Sequence, residues 1–192
     1  MRTMMQIIVS IMTLTVLQLG HATEVNHREL DCLAKNIYYE AGTESLEGKV
    51  AVGVVTLNRV ADGRFGNNVC GVVHQRTVFH RTRKTKVTRE VHHKKYLVID
   101  QVDHVTEIQS QPYTTAVCQF SWSCGSVKKP QANDERWAES VTVAEELLNG
   151  GYNEFRDKYD EALYFHATAI RPTWRSLKKK IARIGGHIFY GD

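Results

Sequence analysis

The stretch SLEGKVAVGVVTLNRVAD, residues 45–62, most constrains the fold, because it is apolar on nearly all sides. Its valines would suit a β-strand as well as a helix. The stretch is long, however, and it is broken only at Asp62-Gly63, which favours a helix. We therefore predict a helix over this stretch that is buried on most of its surface.

Two further segments have the pattern of amphipathic helices. In HRELDCLAKNIYYEA the apolar residues recur at helical spacing, which predicts a first helix from about Arg28 to Glu40. In NDERWAESVTVAEELLNGG an apolar stripe follows Asn133 and Asp134, either of which can cap a helix, and Gly150-Gly151 end it. Together with the valine-rich helix, these segments predict a mainly helical chain.

The remaining segments have weaker patterns. CGVVHQ suits the start of a short helix, QFSWS a strand or a loop, and EALYFHATAI a short strand. RPTWRSLKKKIARIGGHIFYGD predicts a proline turn, a basic helical stretch and an aromatic tail. The basic chain after Arg76 has weak periodicity, and KYLVIDQVDHVTEI is its only plausible helix. We predict an α+β fold, mainly helical, with one domain over residues 27–192, a few short strands and a basic insertion over residues 76–112.

The first 22 residues have the pattern of a secretory signal peptide. Arg2 precedes an apolar run from about Ile7 to Leu19, and Gly20 and Ala22 are small residues at positions suited to a cut after Ala22. The alternative is an uncleaved anchor, because the apolar run is only a little short of a membrane span. We expect an exported protein, located in the periplasm, the cell wall or outside the cell, that meets the membrane only through this segment.

All four cysteines follow the predicted signal. An even number of cysteines in an oxidising compartment predicts two disulfides among Cys32, Cys70, Cys118 and Cys124. Three pairings are possible, and the sequence leaves them open: Cys118 and Cys124 could close a small loop, or either could pair with Cys70. A zinc site is the rival interpretation, but the chain has no C-x-x-C pair.

The positive charge is concentrated in one segment. The net charge is only +4, yet the chain from Arg76 to Lys95 is strongly basic. An exported basic protein should meet anionic polymers such as the cell wall, or acidic lipid, before it meets nucleic acid. The alternative is a solvated loop whose Lys and Arg residues provide solubility.

Three glutamates in NIYYEAGTESLEG are candidate acids. Glu40 follows two tyrosines at the end of the first predicted helix. Such neighbours would desolvate its carboxyl, raise its pKa and keep a proton available near neutral pH. The alternative is an exposed carboxylate at a helix end, which from spacing alone is the commoner case. Glu44 and Glu47 fit the first turn of the valine-rich helix, where negative charge is favourable.

Other kinds of chemistry have little support. His166 and His187 lie among aromatic residues, where a histidine is usually packed and hydrogen-bonded. The histidines between positions 74 and 104 lack zinc-type spacing. The chain has no G-x-S-x-G elbow and no glycine-rich phosphate-binding loop. We therefore expect no metal and no cofactor.

Several aromatic residues occur in short polar-aromatic clusters rather than along one helical face. They are Trp122, Tyr164, Phe165, Trp174 and Tyr190. Sugar-binding grooves use such residues, because rings stack on apolar sugar faces while polar neighbours bind the hydroxyls. Core packing is the alternative for any one of them.

Four segments, in this order, resemble the SleB/CwlJ-like cell wall hydrolases. They are CLAKNIYYEAGTESLEGKVAVGVVTLNRV, CQFSWSC, ALYFHATAIRPTW and IGGHIFY. The resemblance extends from about Cys32 to Tyr190. The family includes spore cortex-lytic enzymes and related bacterial and phage proteins.

The resemblance implies a lytic transglycosylase with a lysozyme-like fold that cleaves the MurNAc–GlcNAc glycosidic bond of peptidoglycan. In the family, the glutamate of the Y-x-E-A motif is the catalytic acid/base, and it matches Glu40. The Q-F-S-W match implies that Gln119 and Ser121 line the glycan groove. Tyr164 and His166 are expected near the same groove. Whether an accessory protein takes part stays open.

The chain departs from the family pattern in two places. The family commonly has E-A-R-G-E where residues 40–44 are EAGTE, which puts in doubt any contact made by that arginine. The chain between Gln75 and Cys118 is longer and more basic than the usual connection. It could be a lid, a wall-binding arm or a contact to a partner.

Three alternative functions stay open. Members of the family have also been described as amidases, and an N-acetylmuramoyl-L-alanine amidase normally uses a zinc-bound water. If Glu44 faced the groove as a second carboxylate, plain hydrolysis by a muramidase would be possible. A non-catalytic wall-binding protein would work through Arg76 to Lys95. Export and the clustering of charge in one segment disfavour a nucleic-acid partner.

Overall fold

The structure is a computed structural model that describes residues 25–93 and 101–192. The predicted signal peptide, residues 1–22, lies outside these ranges and stays a prediction. In the two described ranges, none of the helices has the length and apolar character needed to cross a membrane.

The valine-rich stretch forms the central helix. Helix α1 (His27–Ala41) precedes it, and helix α2 (Leu46–Asp62) contains the stretch itself, so both predicted helices are confirmed. Asn26 caps α1 and Ser45 caps α2, each through a side-chain oxygen that accepts backbone N–H groups. Every residue of α2 from Gly48 to Thr56 is buried, because other elements cover the helix on several sides.

The predicted amphipathic helix near the C-terminus packs against both of these helices. Helix α3 (Val69–Val73) is short, and helix α4 (Glu135–Leu148) has Asp134 as its cap, as predicted. The buried residues of α4 include Val143, Ala144 and Leu147. A Cβ atom on Gly53 of α2 would overlap the Leu147 side chain, so the glycine permits the close approach of these two helices.

The cysteines form two pairs, Cys32–Cys70 and Cys118–Cys124, with Cα–Cα distances of 5.3 and 6.0 Å. The first pair links α1 to α3, and the second closes a loop around a 3-10 turn, Ser121–Cys124. Sequence reasoning left three pairings open, and the fold selects this one. The QFSWS segment is therefore a turn rather than a strand.

The basic insertion is a β-hairpin, so the helix predicted in KYLVIDQVDHVTEI is wrong wherever the structure describes it. Strands β1 (Arg76–His93) and β2 (Gln101–Cys118) pair antiparallel along their whole length, from Arg76↔Cys118 to His93↔Gln101. Val105 and Ile108 have helix-like spacing, but they lie on opposite faces of β2 and are both exposed. Residues 95–100 of the predicted helix lie outside the described ranges.

The hairpin also changes the predicted fold class in one respect. The fold is α+β, as predicted, but two of its strands are long, and the insertion extends to Cys118 rather than to position 112. Helix α5 (Asn153–Lys158), between α4 and the C-terminal strands, was not predicted.

The C-terminal segment forms a three-stranded antiparallel sheet with the order β3-β5-β4. The predicted strand is confirmed as β3 (Tyr164–Ala167). The predicted basic helix is wrong: a 3-10 turn, Thr173–Leu177, leads into strand β4 (Lys179–Ile184), which pairs with β5 (His187–Gly191). The glycine pair between β4 and β5 closes this hairpin, and pairing with β5 outweighs the local helical pattern.

The two disulfides should contribute unequally to stability. Cys32–Cys70 spans 38 positions and Cys118–Cys124 spans six. Since a longer closed loop restricts the unfolded chain more, Cys32→Ala/Cys70→Ala should lower the free energy of unfolding by about 4 kcal/mol and Cys118→Ala/Cys124→Ala by about 2 kcal/mol. Urea unfolding followed by tryptophan fluorescence measures both losses. A larger loss from the six-residue loop would contradict this order.

Candidate active site

Glu40 lies in the last turn of α1 and lines two open cavities. The sheet-side cavity, about 370 Å³, lies between Glu40, α2, the end of β2 and the C-terminal sheet. The helix-side cavity, about 400 Å³, lies between the end of α1 and residues 127–136. Glu40 is the one lining residue that the two cavities share, and we call the two cavities together the groove. Besides Glu40, the residues that line the sheet-side cavity include Arg59, Gln119, Ser121, Phe165, His166, Trp174 and His187.

The surroundings of the Glu40 carboxyl favour its protonated form relative to a carboxyl in water. Its side chain is half-buried, and among the described residues it has no hydrogen-bond partner. Burial raises the pKa of the Glu40 carboxyl, and the nearby Arg59 charge opposes part of this rise. A carboxyl with a raised pKa holds a proton closer to neutral pH, which a general acid requires.

Arg59 is a residue of the candidate site that the sequence pattern did not indicate. It lies on α2, is only 2% exposed, and its Nε donates a hydrogen bond to the Leu163 carbonyl at 2.7 Å. Its guanidinium packs over the rings of Phe65 and Phe120, at 5.0 and 5.3 Å from their centres. Burial lowers the pKa of Arg59 to about 10, so the group is still a cation at neutral pH. The available signal was an arginine in a stretch that is apolar on nearly all sides.

Gln119 and Ser121 both line the sheet-side cavity. When the Gln119 amide is oriented with its oxygen toward Arg59, that oxygen accepts hydrogen bonds from both terminal nitrogens of the guanidinium, each at 3.2 Å. The Gln119 backbone N–H donates to the Gln75 carbonyl at 2.9 Å, which closes the base of the hairpin. Ser121 begins the turn that the Cys118–Cys124 pair encloses. The base of the hairpin therefore forms part of the cavity wall.

His166 lines the same cavity, but its ring nitrogens are engaged within the protein. Its Nδ1 lies 2.8 Å from the Ala167 carbonyl oxygen, and its Nε2 lies 3.1 Å from the Tyr190 hydroxyl. Because a carbonyl only accepts, Nδ1 carries the hydrogen of the first bond. The ring also stacks on Tyr190 and meets Trp174 edge-on. These contacts hold the His166 ring in one orientation in the cavity wall.

Tyr164 lies next to the cavity without lining it. Its ring packs 5.8 Å from the ring of Trp174 and 5.8 Å from that of Phe65. Its hydroxyl donates to Asp192 at 3.2 Å. Among the predicted aromatic residues, Trp174 and Phe165 are the two that line the cavity. Tyr164 therefore packs behind the cavity lining, against Trp174.

Glu44 lies outside the cavity that holds Glu40. It precedes the Ser45 cap, so the prediction that it lies in the first turn of α2 is wrong. Its carboxylate accepts the Gly186 N–H at 3.1 and 3.2 Å and lies 3.7 Å from Nδ1 of His187. A Cβ atom on Gly185 would overlap this carboxylate. Glu44 thus fixes the turn between β4 and β5, from which His187 reaches the cavity.

Glu47 has the structural role that the sequence predicted. It lies in the first turn of α2, and its carboxylate accepts hydrogen bonds from Lys158 Nζ and the Tyr159 hydroxyl. These two bonds hold the pKa of Glu47 below its usual value. In contrast to Glu40, this carboxyl is stabilised in its ionised form.

The aromatic residues on the other side of Glu40 are packed against one another. Tyr39 stacks on Trp122 with ring centres 4.7 Å apart, and Trp122 Nε1 donates to the buried Asn36 side chain at 3.1 Å. Tyr38 donates its hydroxyl to Asp134 at 2.7 Å. No three His, Cys, Asp or Glu side chains of the described ranges lie close enough together to bind a metal ion.

The comparisons with known proteins gave one match. A family model described as Cell Wall Hydrolase matches residues 43–109 and 91–190. No curated protein and no solved structure matches the chain significantly. The matched residues begin three positions after Glu40, so the match does not include Glu40.

Replacing Arg59 should change the pKa of Glu40. Arg59→Met removes the cation that favours the ionised carboxyl, so the pKa of Glu40 should rise further. Arg59→Lys keeps a charge and should leave the pKa closer to that of the wild type. Carbon-13 NMR titration of the Glu40 carboxyl in variants that still unfold cooperatively measures the difference. An unchanged or lower pKa in Arg59→Met would contradict the inferred interaction.

Glu40→Gln should stabilise the protein at neutral pH. In the unfolded chain this carboxyl ionises at its usual pKa of 4.5, which is below its pKa in the folded state. Between these two values the folded state holds more protons, so the free energy of unfolding falls as the pH rises. Glutamine removes this penalty, which is about 1.4 kcal/mol per pKa unit. The melting temperature of Glu40→Gln should therefore exceed that of the wild type at pH 7, and the two should converge below pH 4.5.

Glu47→Gln provides the control with the opposite sign. Because the pKa of Glu47 is lowered in the folded state, its ionised form stabilises the protein above pH 4.5, and this contribution disappears as pH falls through the folded pKa. Thermal unfolding of Glu47→Gln should therefore occur at a lower temperature than that of the wild type at pH 7. Equal shifts in both variants would refute the contrast between the two carboxyls.

Proposed function

Because the chain belongs to the cell wall hydrolase family, we propose that it cleaves the glycan strands of peptidoglycan with Glu40 as the acid/base. The observation that carries this proposal is the position of Glu40. Burial raises the pKa of its carboxyl, and Glu40 lines both cavities of the groove. A groove of two cavities that share an acid suits a polymer that passes across it.

The finer proposal is a lytic transglycosylase acting between MurNAc and GlcNAc. Glu40 first donates its proton to the glycosidic oxygen, and the C1–O bond breaks. The resulting carboxylate then takes the proton of the C6 hydroxyl of the same MurNAc as that oxygen bonds to C1. The products are a 1,6-anhydro end and a free GlcNAc hydroxyl, and Glu40 recovers its proton.

The residues around Glu40 favour this route over a two-carboxylate hydrolysis. Ordinary glycosidases need a second carboxylate as nucleophile or base. Among the described residues that line the two cavities, Glu40 is the sole Asp or Glu. Glu44, the other candidate, accepts the Gly186 N–H instead. An internal nucleophile from the sugar itself removes the need for a second carboxylate.

Arg59 supports both halves of this cycle. As a buried cation it stabilises the Glu40 carboxylate after the first proton transfer and opposes part of the rise in the pKa of Glu40. Its bonds to the Leu163 carbonyl and the Gln119 side chain fix its position. Arg59 is therefore proposed as a positioning and electrostatic residue.

The walls of the groove suit a sugar polymer. Trp174 and Phe165 offer aromatic surface in the sheet-side cavity, while Gln119 and Ser121 offer polar groups for hydroxyls. A helical lobe on one side of Glu40 and a small sheet on the other agree with the lysozyme-like arrangement implied by the resemblance. The two disulfides agree with an exported protein in an oxidising compartment.

The test is digestion of purified peptidoglycan by the protein without residues 1–22, followed by mass spectrometry of the soluble products. The wild type should release fragments with anhydro-muramic ends. Glu40→Gln should release them at least about a hundredfold more slowly, since general acid–base catalysis contributes about 10²–10⁴ in rate.

Glu44→Gln is the matched control, because it makes the same change four positions away. It keeps an acceptor for the Gly186 N–H and should retain most of the activity. Reducing ends that disappear in Glu44→Gln would instead indicate a two-carboxylate muramidase. Release of free stem peptides would indicate an amidase, and no release by a folded, disulfide-bonded protein would leave wall binding as the function.

A further inference from the structure

The β1–β2 hairpin is exposed on both of its faces. At about 3.3 Å per residue, strands of this length extend roughly 55 Å. Its large apolar side chains are exposed along much of its length: Val78, Phe79, Val105, Ile108, Tyr113 and Val117. A two-stranded ribbon with neither face packed buries little surface for its own stability. Exposed apolar groups on such a ribbon are typical of a binding surface.

The hairpin also contains the net positive charge of the chain. Residues 76–118 include eight of the 25 Lys and Arg residues but only four of the 21 Asp and Glu residues. The rest of the chain therefore has seventeen of each and is neutral overall. Electrostatic attraction of this protein to an anionic polymer should accordingly act through the hairpin.

One face of the hairpin combines arginines with aromatic rings. Phe79, Arg81 and Arg83 alternate along β1 and so share a face, and Arg81 lies directly opposite Tyr113 of β2. The Arg81 guanidinium lies 5.7 Å from the Phe79 ring centre, and that of Arg83 lies 5.3 Å from the Tyr113 ring centre. We call these four residues the arginine–aromatic face.

The arginines of this face are free to bind an external anion. Arg89, farther along the same face, forms an ion pair with Glu107 at 2.7 Å. Within the part of the chain that the structure describes, Arg81 and Arg83 have aromatic contacts but no such ion pair. Guanidinium groups bind carboxylates through paired hydrogen bonds, and neighbouring rings can stack on sugars.

The base of the hairpin determines which anionic polymer it meets. Cys118, the last residue of β2, lines the sheet-side cavity with Glu40, and the next residue, Gln119, binds Arg59. A polymer that passes through the groove therefore passes the base of the hairpin as well. In peptidoglycan, the anionic groups next to the sugars are the carboxylates of the stem peptides.

We propose that the arginine–aromatic face is a docking surface for intact peptidoglycan, which it recognises through stem-peptide carboxylates while the strand lies in the groove. This inference rests on the proposed function for the identity of the polymer. It extends that function by assigning the hairpin a role in holding the insoluble substrate, separate from bond cleavage.

The test measures binding and cleavage separately. Binding is measured by co-sedimentation with peptidoglycan sacculi stripped of attached accessory polymers, with every protein in a Glu40→Gln background to prevent digestion. Arg81→Gln/Arg83→Gln should weaken binding about tenfold or more. The matched control, Lys84→Gln/Lys86→Gln, removes the same charge from the opposite face and should weaken binding by less than about threefold. With Glu40 restored, Arg81→Gln/Arg83→Gln should cleave short soluble glycan at the wild-type rate.

A second probe changes the polymer instead of the protein. Sacculi whose carboxylates have been converted to amides should lose the binding that Arg81 and Arg83 provide. Equal losses from the two double variants, unchanged binding to amidated sacculi, or binding only to sacculi that keep attached phosphate polymers would each overturn the proposal. Binding as described with no cleavage by the wild type would leave the docking surface standing and remove the proposed function.

Discussion

The buried guanidinium of Arg59 is the interaction on which the arrangement of the site depends. It lies on the central helix and reaches three other parts of the chain: the Leu163 carbonyl before β3, the Gln119 side chain after β2, and the electrostatic surroundings of Glu40 at the end of α1. A buried cation without partners is strongly destabilising. The fold therefore has to bring these partners together, and the same contacts that satisfy Arg59 place the sheet, the hairpin base and Glu40 around one cavity.

Glu40 and Arg59 balance stability against chemistry. Burial raises the pKa of the Glu40 carboxyl, which suits the proposed proton transfer, but burial of an ionisable group also destabilises the folded state. Arg59 limits that cost and also makes the ionised form accessible during the reaction. Glu47, only seven positions along the chain, is stabilised by Lys158 and Tyr159 and contributes to stability instead. Neighbouring carboxyls of the same type thus differ in role because their surroundings differ.

The chain separates the candidate site from its excess of positive charge. The part outside residues 76–118 is neutral overall and holds the groove, while the hairpin has the excess of Lys and Arg. The connection between the two is short: the Cys118–Cys124 pair and the Gln119–Gln75 hydrogen bond lie where the hairpin leaves the cavity wall. Such an arrangement would allow the proposed docking and the proposed cleavage to be changed independently by mutation.

The sequence by itself determined the features that depend on neighbouring residues. Periodicity predicted α1, α2 and α4, and a cysteine count predicted two disulfides. The motif resemblance selected Glu40, Gln119, Ser121 and His166, which the fold brings to one cavity. Tertiary structure alone decided which cysteines pair, that residues 101–108 and Lys179–Ile184 form strands, that Glu44 binds Gly186, and that Arg59 lies beside Glu40. Each of these depends on partners far away in the chain, and their pairing and burial energies outweigh local preference without leaving a pattern in the nearby sequence.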